Sequence, residues 1–305
     1  MILVVGGTGV LGRRLVPLLT GSGRQVRVVA RGQPSDSIGR ADGVESAIAD
    51  VRDPVSLDRV MAGVDTVVSA VQGFGGPNAA GAGPVDRDGN VNLIDSAIRA
   101  GVSRVVLLSV TQAAPDHPME LFRMKYAAEQ HLRASGMDWT IIRPTAYMET
   151  WLEIVGRPLV ETGRAMIFGR GENAINFVSA DDVAGIVHLA AVDPANRGMT
   201  IEAPGPDNVT FLQLIRTVAD ASGRDARVRH IPRPVMRVAA SGLRRLKPVL
   251  AGQIQAALVM DTIDMTADVT DRAKRFPSVP LTRLRTVAER QVAEWKAGDS
   301  GPMTS

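Results

Sequence analysis

The chain opens with MILVVGGTGVLG, residues 1–12, in which an apolar run leads into a turn with four glycines. The next stretch, RRLVPLL at residues 13–19, is typical of a helix. The succession predicts a buried strand, a tight turn and a helix. Such a turn needs glycine because one position takes a positive φ and another lets the helix pack closely on the strand.

Two glycine spacings occur in this turn at once. Gly7, Gly9 and Gly12 give G-x-G-x-x-G, while Gly6 with Gly9 and Gly12 gives G-x-x-G-x-x-G. The N-terminus of the following helix offers free N–H groups and a positive dipole end to a pyrophosphate. Because the motif follows a strand and opens a helix, it predicts a dinucleotide site rather than a flexible glycine-rich turn.

The composition is that of an ordinary globular protein: 305 residues, 45% hydrophobic, 22% charged, with a net charge of +3. We expect no nucleic-acid partner, since this charge is modest. No apolar segment is long enough to span a membrane, and the chain opens on a core strand, so no integral membrane segment, no export signal and a cytoplasmic location are expected. The chain has no cysteine, and its four histidines lack metal-ligand spacing, so no metal site is expected.

Strands alternate with helices over about the first 145 residues, as in proteins with parallel sheets. The predicted strands cover residues 2–5, 25–30, 44–49, 65–71, 104–108 and 139–144, and the predicted helices follow residues 12, 53, 90 and 118. This order predicts an α/β fold with a doubly wound parallel sheet and a smaller mixed α/β C-terminal lobe. Residues 73–89, rich in Gly, Ala and Pro, are expected to form a mobile loop beside the site.

Beyond residue 144 the alternation becomes irregular. Short strands are expected at residues 165–168, 174–178 and 199–202, and helices at residues 181–192, 210–222 and 281–295. We therefore expect a nucleotide-binding domain of residues 1–150, with additions from about residues 174–200. A substrate-binding lobe of residues 151–297 and a disordered tail of residues 298–305 would follow it.

The residue after the second strand bears on the choice of cofactor. NAD-selective sites have an acidic residue about twenty positions beyond the glycine turn, where it binds the ribose 2′-hydroxyl. This chain has Arg31 there, and a guanidinium favours a 2′-phosphate, so NADP is preferred over NAD. A solvated surface arginine is the alternative. Asp50 follows the third strand, either to accept from an adenine amino group or to cap its own loop.

These motifs together resemble the NmrA-like atypical branch of the short-chain dehydrogenase/reductases. The resemblance is carried by GGTGVLG (6–12), Arg31, DVRD (50–53), DRDGNVNLID (86–95), KYAAE (125–129), RPTAYM (143–148) and NFVSADDVA (176–184). It covers nearly the whole chain and weakens after about residue 205. It implies an extended Rossmann domain that binds NAD(P) and serves either reductase chemistry or redox sensing.

The resemblance also implies the residues that bind the cofactor. These are Gly6, Thr8, Gly9, Val10, Leu11, Gly12, Arg31, Asp50, Val51, Ala70, Val71, Lys125, Pro144 and Thr145. The glycines would cradle the pyrophosphate, Asp50 and Val51 would contact the adenine, and residues 144–147 would border the nicotinamide.

The chain departs from the family at its usual catalytic pair, Tyr-x-x-x-Lys, in which the phenol is the general acid. Four residues before Lys125 stands Leu121, and the neighbouring Phe122 has no hydroxyl. Lys125 lies within an apolar helical stripe, so its ammonium is expected to reach a polar group such as a cofactor ribose. An ion pair with Glu129 is the alternative.

Several residues are candidates for the missing catalytic role. In the isoflavone-reductase-like relatives of this branch, a lysine at the place of Lys125 handles the proton. Ser109 or Thr111 would polarise a carbonyl, and Tyr147 would supply a substitute phenol. Each also has a structural alternative. Ser109 and Thr111 would cap a strand end, and Tyr147 would pack within the C-terminal lobe.

The leading functional hypothesis is an NADPH-dependent oxidoreductase that transfers hydride to a small carbonyl, quinone or enone. The alternative is a non-catalytic, NADP(H)-sensing regulatory protein that binds a partner. An epimerase or dehydratase is less favoured, because the Tyr-x-x-x-Lys pair is missing. The sequence leaves open whether the protein binds a partner protein or forms a homodimer.

The basic stretch of residues 224–248 suggests a short amphipathic helix for an anionic membrane surface or another protein. Its few large apolar residues favour a solvated face instead.

Overall fold

The computed structural model describes residues 1–32, 42–73 and 80–299. The chain forms two compact units. One comprises Met1–Pro144 with Val183–Ala203, and the other comprises Thr145–Asp182 with Pro204–Ser305.

The first unit is built on a seven-stranded sheet, with strands numbered along the whole chain. Its members are β1 (Ile2–Val5), β2 (Val26–Ala30), β3 (Val44–Ile48), β4 (Thr66–Ser69), β5 (Arg104–Leu108), β6 (Asp138–Pro144) and β10 (Met199–Ala203). Their order is β10-β6-β5-β4-β1-β2-β3, and every neighbouring pair is parallel. The predicted doubly wound parallel sheet is thereby confirmed.

Helices connect these strands. They are α1 (Gly12–Gly21), α2 (Pro54–Val60), α3 (Asp88–Arg99), α4 (Glu120–Ala134) and α7 (Ala180–Val192), of which α7 begins in the second unit. All four residues of β1 are buried. This agrees with the uninterrupted apolar run of that strand, because a parallel sheet covered by helices excludes water from both faces.

The prediction of a mobile loop at residues 73–89 is wrong for the C-terminal end of that segment. A π-helical turn covers Gly83–Arg87, and α3 begins at Asp88, three residues earlier than the sequence pattern indicated. The physical reason is the buried Asp86 carboxylate in this turn, which accepts a hydrogen bond from the Gly73 N–H at 2.9 Å. Residues 74–79 of the predicted loop lie outside the described part of the chain.

The second unit contains two small sheets. The first has the order β11 (Asp207–Val209), β9 (Ile175–Val178), β7 (Ala146–Tyr147), and the second pairs β12 (Arg227–Ile231) with β8 (Arg164–Phe168). The helices of this unit are α5 (Met148–Trp151), α6 (Arg157–Thr162), α8 (Phe211–Ser222), α9 (Arg233–Leu243), α10 (Pro248–Met260), α11 (Thr270–Arg275) and α12 (Leu284–Asp299). This is the mixed α/β lobe that the sequence predicted.

The segment of about residues 174–200, which was expected to add to the nucleotide-binding domain, is divided between the two units. β9 pairs with β7 and β11 and so belongs to the second unit, whereas β10 pairs with β6 of the central sheet. Helix α12 continues through Asp299, and residues 300–305 of the predicted tail lie outside the described residues. Within the described ranges, no helix combines the length and the apolar character needed to cross a bilayer.

Candidate functional site

The glycine turn between β1 and α1 is closed by very short backbone approaches. Gly6 has a φ of +88°, and a Cβ atom at this position would lie 2.6 Å from the Ala70 carbonyl oxygen. A Cβ atom at Gly12 would lie 2.4 Å from the Gly6 carbonyl oxygen. Both positions therefore require glycine, Gly6 also because side chains disfavour a positive φ.

The outer side of the same turn is open. Gly9 is exposed, and its neighbours Thr8 and Val10 are half-buried, while Leu11 is buried. The Arg13 N–H donates to the Gly9 carbonyl at 3.1 Å and starts the helical ladder. The preceding N–H groups stand at the helix end, where no intrahelical acceptor exists and the dipole is positive. An exposed backbone of this kind fits a diphosphate.

The residues predicted to bind the adenosine half of the cofactor follow β2 and β3. Arg31 is exposed, and Asp50 is half-buried with its carboxylate on the Arg52 guanidinium, at 3.0 Å from Nε to Oδ1. Arg52 holds the pKa of Asp50 below its usual value, and Arg31 lowers that pKa further. Oδ1 also accepts from the Arg52 N–H at 2.9 Å, so Asp50 caps its own loop. The adjacent Val51 is buried.

Lys125 extends from α4 to the carboxyl ends of two central strands. Its Nζ lies 3.0 Å from Asp86 Oδ1 and donates to the carbonyl oxygens of Val71 at 2.9 Å and Leu108 at 3.0 Å. Two of the ammonium protons thus bind backbone carbonyls, while Asp86 forms an ion pair with the group. The alternative ion pair of Lys125 with Glu129 is wrong, because Asp86 is its partner.

Asp86 is the site residue that sequence reasoning missed. Its side chain is fully buried, with Oδ2 on the Gly73 N–H and Oδ1 facing Lys125. One helical turn later, Asn90 donates to the Asp86 carbonyl at 2.8 Å and accepts from the Ser69 hydroxyl. The available signal was the i, i+4 spacing of Asp86 and Asn90 at the end of the segment predicted to be a loop.

Ser109 and Thr111 follow β5 and face a network centred on Arg143. The Ser109 hydroxyl donates to Glu129 at 2.5 Å. Burial raises the pKa of Glu202, and the nearby Thr111 offsets part of that rise. The Arg143 guanidinium bonds Glu129 at 2.7 Å and 2.8 Å and also reaches Glu202. The Ser109 hydroxyl hydrogen is therefore bound to a carboxylate and cannot at the same time polarise a carbonyl.

The remaining predicted residues are divided between the two units. Pro144 ends β6, and its carbonyl accepts from the Thr111 N–H at 3.0 Å. Thr145 and Tyr147 belong to the second unit, where Thr145 donates to Asn176 at 2.9 Å. Burial raises the pKa of the Tyr147 phenol, which therefore keeps its proton at neutral pH.

The turn and Lys125 meet at one point of the first unit, the end of β4. Gly6 approaches Ala70, and the next residue, Val71, accepts from Lys125. Within the described residues, no group of three side chains is arranged to hold a metal ion. The arrangement is therefore an open glycine turn with one buried ammonium group beside it.

Comparison with known proteins identifies relatives of similar sequence and a solved structure with the same fold. The chain is 26% identical to the NAD(P)H azoreductase of Xenophilus azovorans, over 97% of this chain and 100% of that protein. It is 26% identical to the photosystem II assembly factor Ycf39 of Synechocystis sp., over 80% of this chain and 74% of that protein. The triphenylmethane reductase of Citrobacter sp., solved with NADP(H), shares the fold with a TM-score of 0.76 and 20% identity, covering 96% and 100% of the two chains.

A family model described as NAD(P)H-binding matches residues 6–194, which begin at the glycine turn and include Lys125. The matched part exceeds half of the chain and contains the whole open turn. This protein therefore belongs to the NAD(P)H-binding family.

Proposed function

We propose that the protein is a cytoplasmic, NADPH-dependent oxidoreductase of the NmrA-like short-chain dehydrogenase/reductase type. It would transfer hydride to a small carbonyl, quinone or enone. The observation that carries the proposal is the Lys125 ammonium at the carboxyl ends of β4 and β5. In open α/β sheets this is the edge at which ligands bind.

Two of the similar proteins support a reductase rather than another use of the cofactor. The relative that matches the chain over nearly its full length is named an NAD(P)H azoreductase. The structural neighbour with NADP(H) is named a triphenylmethane reductase. A hydride acceptor with a conjugated system, such as a quinone or enone, accords with both names.

When bound, NADPH would supply the hydride, and the chain would orient the acceptor and handle its proton. Lys125 is our choice for the proton donor because Leu121 replaces the usual phenol. Both of its hydrogen bonds go to neutral backbone carbonyls, which are easier to exchange for a substrate oxygen than a carboxylate is. Asp86 would hold the ammonium group in place.

The roles of Ser109, Thr111 and Tyr147 follow from their contacts in this proposal. Ser109 and Thr111 would support Arg143 and its two carboxylates rather than the substrate. Tyr147 would stay protonated and available as a donor, because burial raises its pKa.

A kinetic comparison tests the catalytic role. Lys125→Met should lower NADPH oxidation by about 100-fold or more with a quinone, enone or aldehyde acceptor, the scale of one general acid. Ser109→Ala is the matched control and should change the rate less than about threefold at saturating substrate, since its hydroxyl is bound to Glu129. Equal rates for Lys125→Met and wild type would contradict the proposal, as would the absence of turnover with every acceptor.

The preference for NADPH would rest on Arg31, which is exposed after β2. In calorimetric titrations, Arg31→Ala should weaken NADPH binding by about 10-fold to 100-fold more than NADH binding, the range of a charged hydrogen bond to phosphate. Arg59→Ala, on the exposed side of α2, is the control and should leave both affinities unchanged. An equal loss for the two nucleotides would overturn the assignment of Arg31.

A second candidate function is an NADP(H)-sensing regulatory protein without catalysis. Two observations favour it: Leu121 stands where the family's tyrosine belongs, and one relative is named an assembly factor. Such a protein must bind its partner with different affinities in different cofactor states. Equal capture of a partner with NADP, with NADPH and without nucleotide would exclude this alternative.

A further inference from the structure

The second unit contains a long segment of one charge sign, residues 226–260, which we call the cationic segment. It comprises β12, α9 and α10 and has seven arginines and lysines without a single Asp or Glu. The cations are Arg227, Arg229, Arg233, Arg237, Arg244, Arg245 and Lys247. The whole chain has a net charge of +3, so the other residues together are acidic. The positive charge is therefore concentrated here.

One of these cations has a structural role, and the others point outward. Arg233 pairs with the buried Asp261, at 2.5 Å from Nε to Oδ2. The other six are exposed. Six exposed cations thus remain in the segment, with Asp225 and Asp261 at its borders.

The same segment exposes large apolar side chains that the core of its unit does not use. Helix α9 packs through the buried Met236 and Ala240, while Val238 on another side is 74% exposed. After the helix, Leu246 is 82% exposed. A helix in a soluble protein normally has one apolar face, which α9 packs against its unit. The packing of the unit therefore does not explain the exposed Val238 and Leu246.

The neighbouring two-stranded sheet continues this pattern. Met166 is 51% exposed and stands opposite Arg229, and the exposed Phe168 stands opposite Ile231. Residues paired in this way lie on the same face of a sheet. The edge of the second unit thus presents arginines and large apolar side chains together on a strand face as well as on a helix.

We propose that the exposed arginines and apolar side chains of the cationic segment, with Met166 and Phe168 of β8, bind the anionic surface of a lipid bilayer. Exposed apolar side chains can enter the boundary between head groups and acyl chains, and arginines beside them can pair with lipid phosphates. The proposal is independent of the reductase function.

Other partners fit the surface less well. In a symmetric dimer the same patch occurs on both copies, so six exposed cations would face six more. Binding to nucleic acid uses the charges but gives Val238 and Leu246 no partner. An acidic protein would pair with the cations but would give the exposed aliphatic side chains no partner. The experiment below distinguishes an acidic polymer from lipid.

A flotation experiment with the full chain tests the proposal. Vesicles of phosphatidylcholine alone should leave the protein behind, and vesicles with about one third phosphatidylglycerol should carry it upward at low salt. Binding should weaken at about 0.5 M KCl, because salt screens charges beyond a few ångströms. A protein that stays unbound on the anionic vesicles, or binds neutral ones equally, would overturn the proposal.

Matched variants separate charge from insertion. Arg245→Glu and Val238→Asp should each lower the bound fraction at least about threefold, because each removes one element that interfacial binding requires. Their controls are Arg59→Glu and Val55→Asp, which make the same changes at exposed positions of α2 and should bind like wild type. Circular dichroism should show equal melting for all four variants.

Two outcomes would contradict this surface in particular. If the control variants lose as much binding as the test variants, the effect is one of net charge alone. If Val238→Asp binds the vesicles normally and the wild type binds soluble polyglutamate as tightly, the surface recognises an acidic polymer, and its lipid assignment is wrong.

Discussion

Two buried carboxylates of the first unit hold cations in different ways. Glu129 is surrounded by two guanidinium groups and a hydroxyl, from Arg133, Arg143 and Ser109. Asp86 faces one ammonium, that of Lys125, and one backbone N–H. Both carboxylates are fully buried. The difference lies in how completely each charge is surrounded and by which cation.

This difference separates a structural network from a site that can exchange partners. A guanidinium offers a planar fork that matches a carboxylate, whereas an ammonium is a compact charge whose three protons bind independently. Arg143 uses its fork on Glu129 with two short bonds. Under the proposed function, Lys125 would release one carbonyl and keep Asp86, which makes its site the better candidate for chemistry.

The largest effect is expected from Glu129→Gln. The change leaves two guanidinium groups without their buried counter-charge, so the free energy of unfolding should fall by about 4 kcal/mol. Urea unfolding followed by circular dichroism measures it. Glu45→Gln is the control, because Glu45 pairs with Arg27 at 3.0 Å but is exposed. A loss no larger than that of the control would remove the distinction between this network and a surface pair.

A smaller loss is expected from Asp86→Asn. Only one cation loses its partner, and the amide oxygen still accepts from the Gly73 N–H, so the free energy of unfolding should fall by about 2 kcal/mol. The same unfolding experiment applies, with Asp88→Asn as control, since Asp88 is exposed two residues later, at the start of α3. A loss equal to that of Glu129→Gln would show that the two carboxylates are equally structural.

The smallest effect is expected at Asp50, the half-buried carboxylate that follows β3. Asp50→Asn should cost less than about 0.5 kcal/mol, the usual scale of an exposed ion pair. Because Arg52 lowers the pKa of folded Asp50 from its usual value of 3.8, the pair stabilises the protein above that pH and the gain is lost as the pH falls. Unfolding measured at pH 7 and near pH 3 should show the difference shrinking in acid. A larger difference in acid would reverse the assigned sign.

Local patterns were sufficient for much of the fold. The apolar run and glycines of residues 2–12 specify β1, the turn and α1, because strand burial and a positive φ are properties of short stretches. The alternation of strands and helices predicted the parallel sheet for the same reason. The π-helical turn at Gly83–Arg87 escaped prediction, since its small residues have no periodicity and its stability depends on the buried Asp86.

The buried position of Lys125 was predictable from the sequence, and its contacts were less so. Lys125 was identified from its place in an apolar helical stripe, and its ammonium was expected to reach a cofactor ribose, with Glu129 as the alternative partner. The partner is Asp86, which the topology brings to the same strand ends. Ser109 was predicted to polarise a carbonyl, and its bond to Glu129 could be known only once α4 was placed beside β5.

The amino-acid sequence by itself determined the strand, glycine turn and helix that mark an NAD(P)H-binding protein, because steric limits and hydrophobic spacing act between near neighbours in the chain. Only the tertiary structure decided which carboxylate holds which cation. Glu129 has an arginine four residues along its own helix and another on β6, and Lys125 finds an acid from a distant turn. Such pairings depend on which strand ends lie side by side, and no local pattern in the sequence records that.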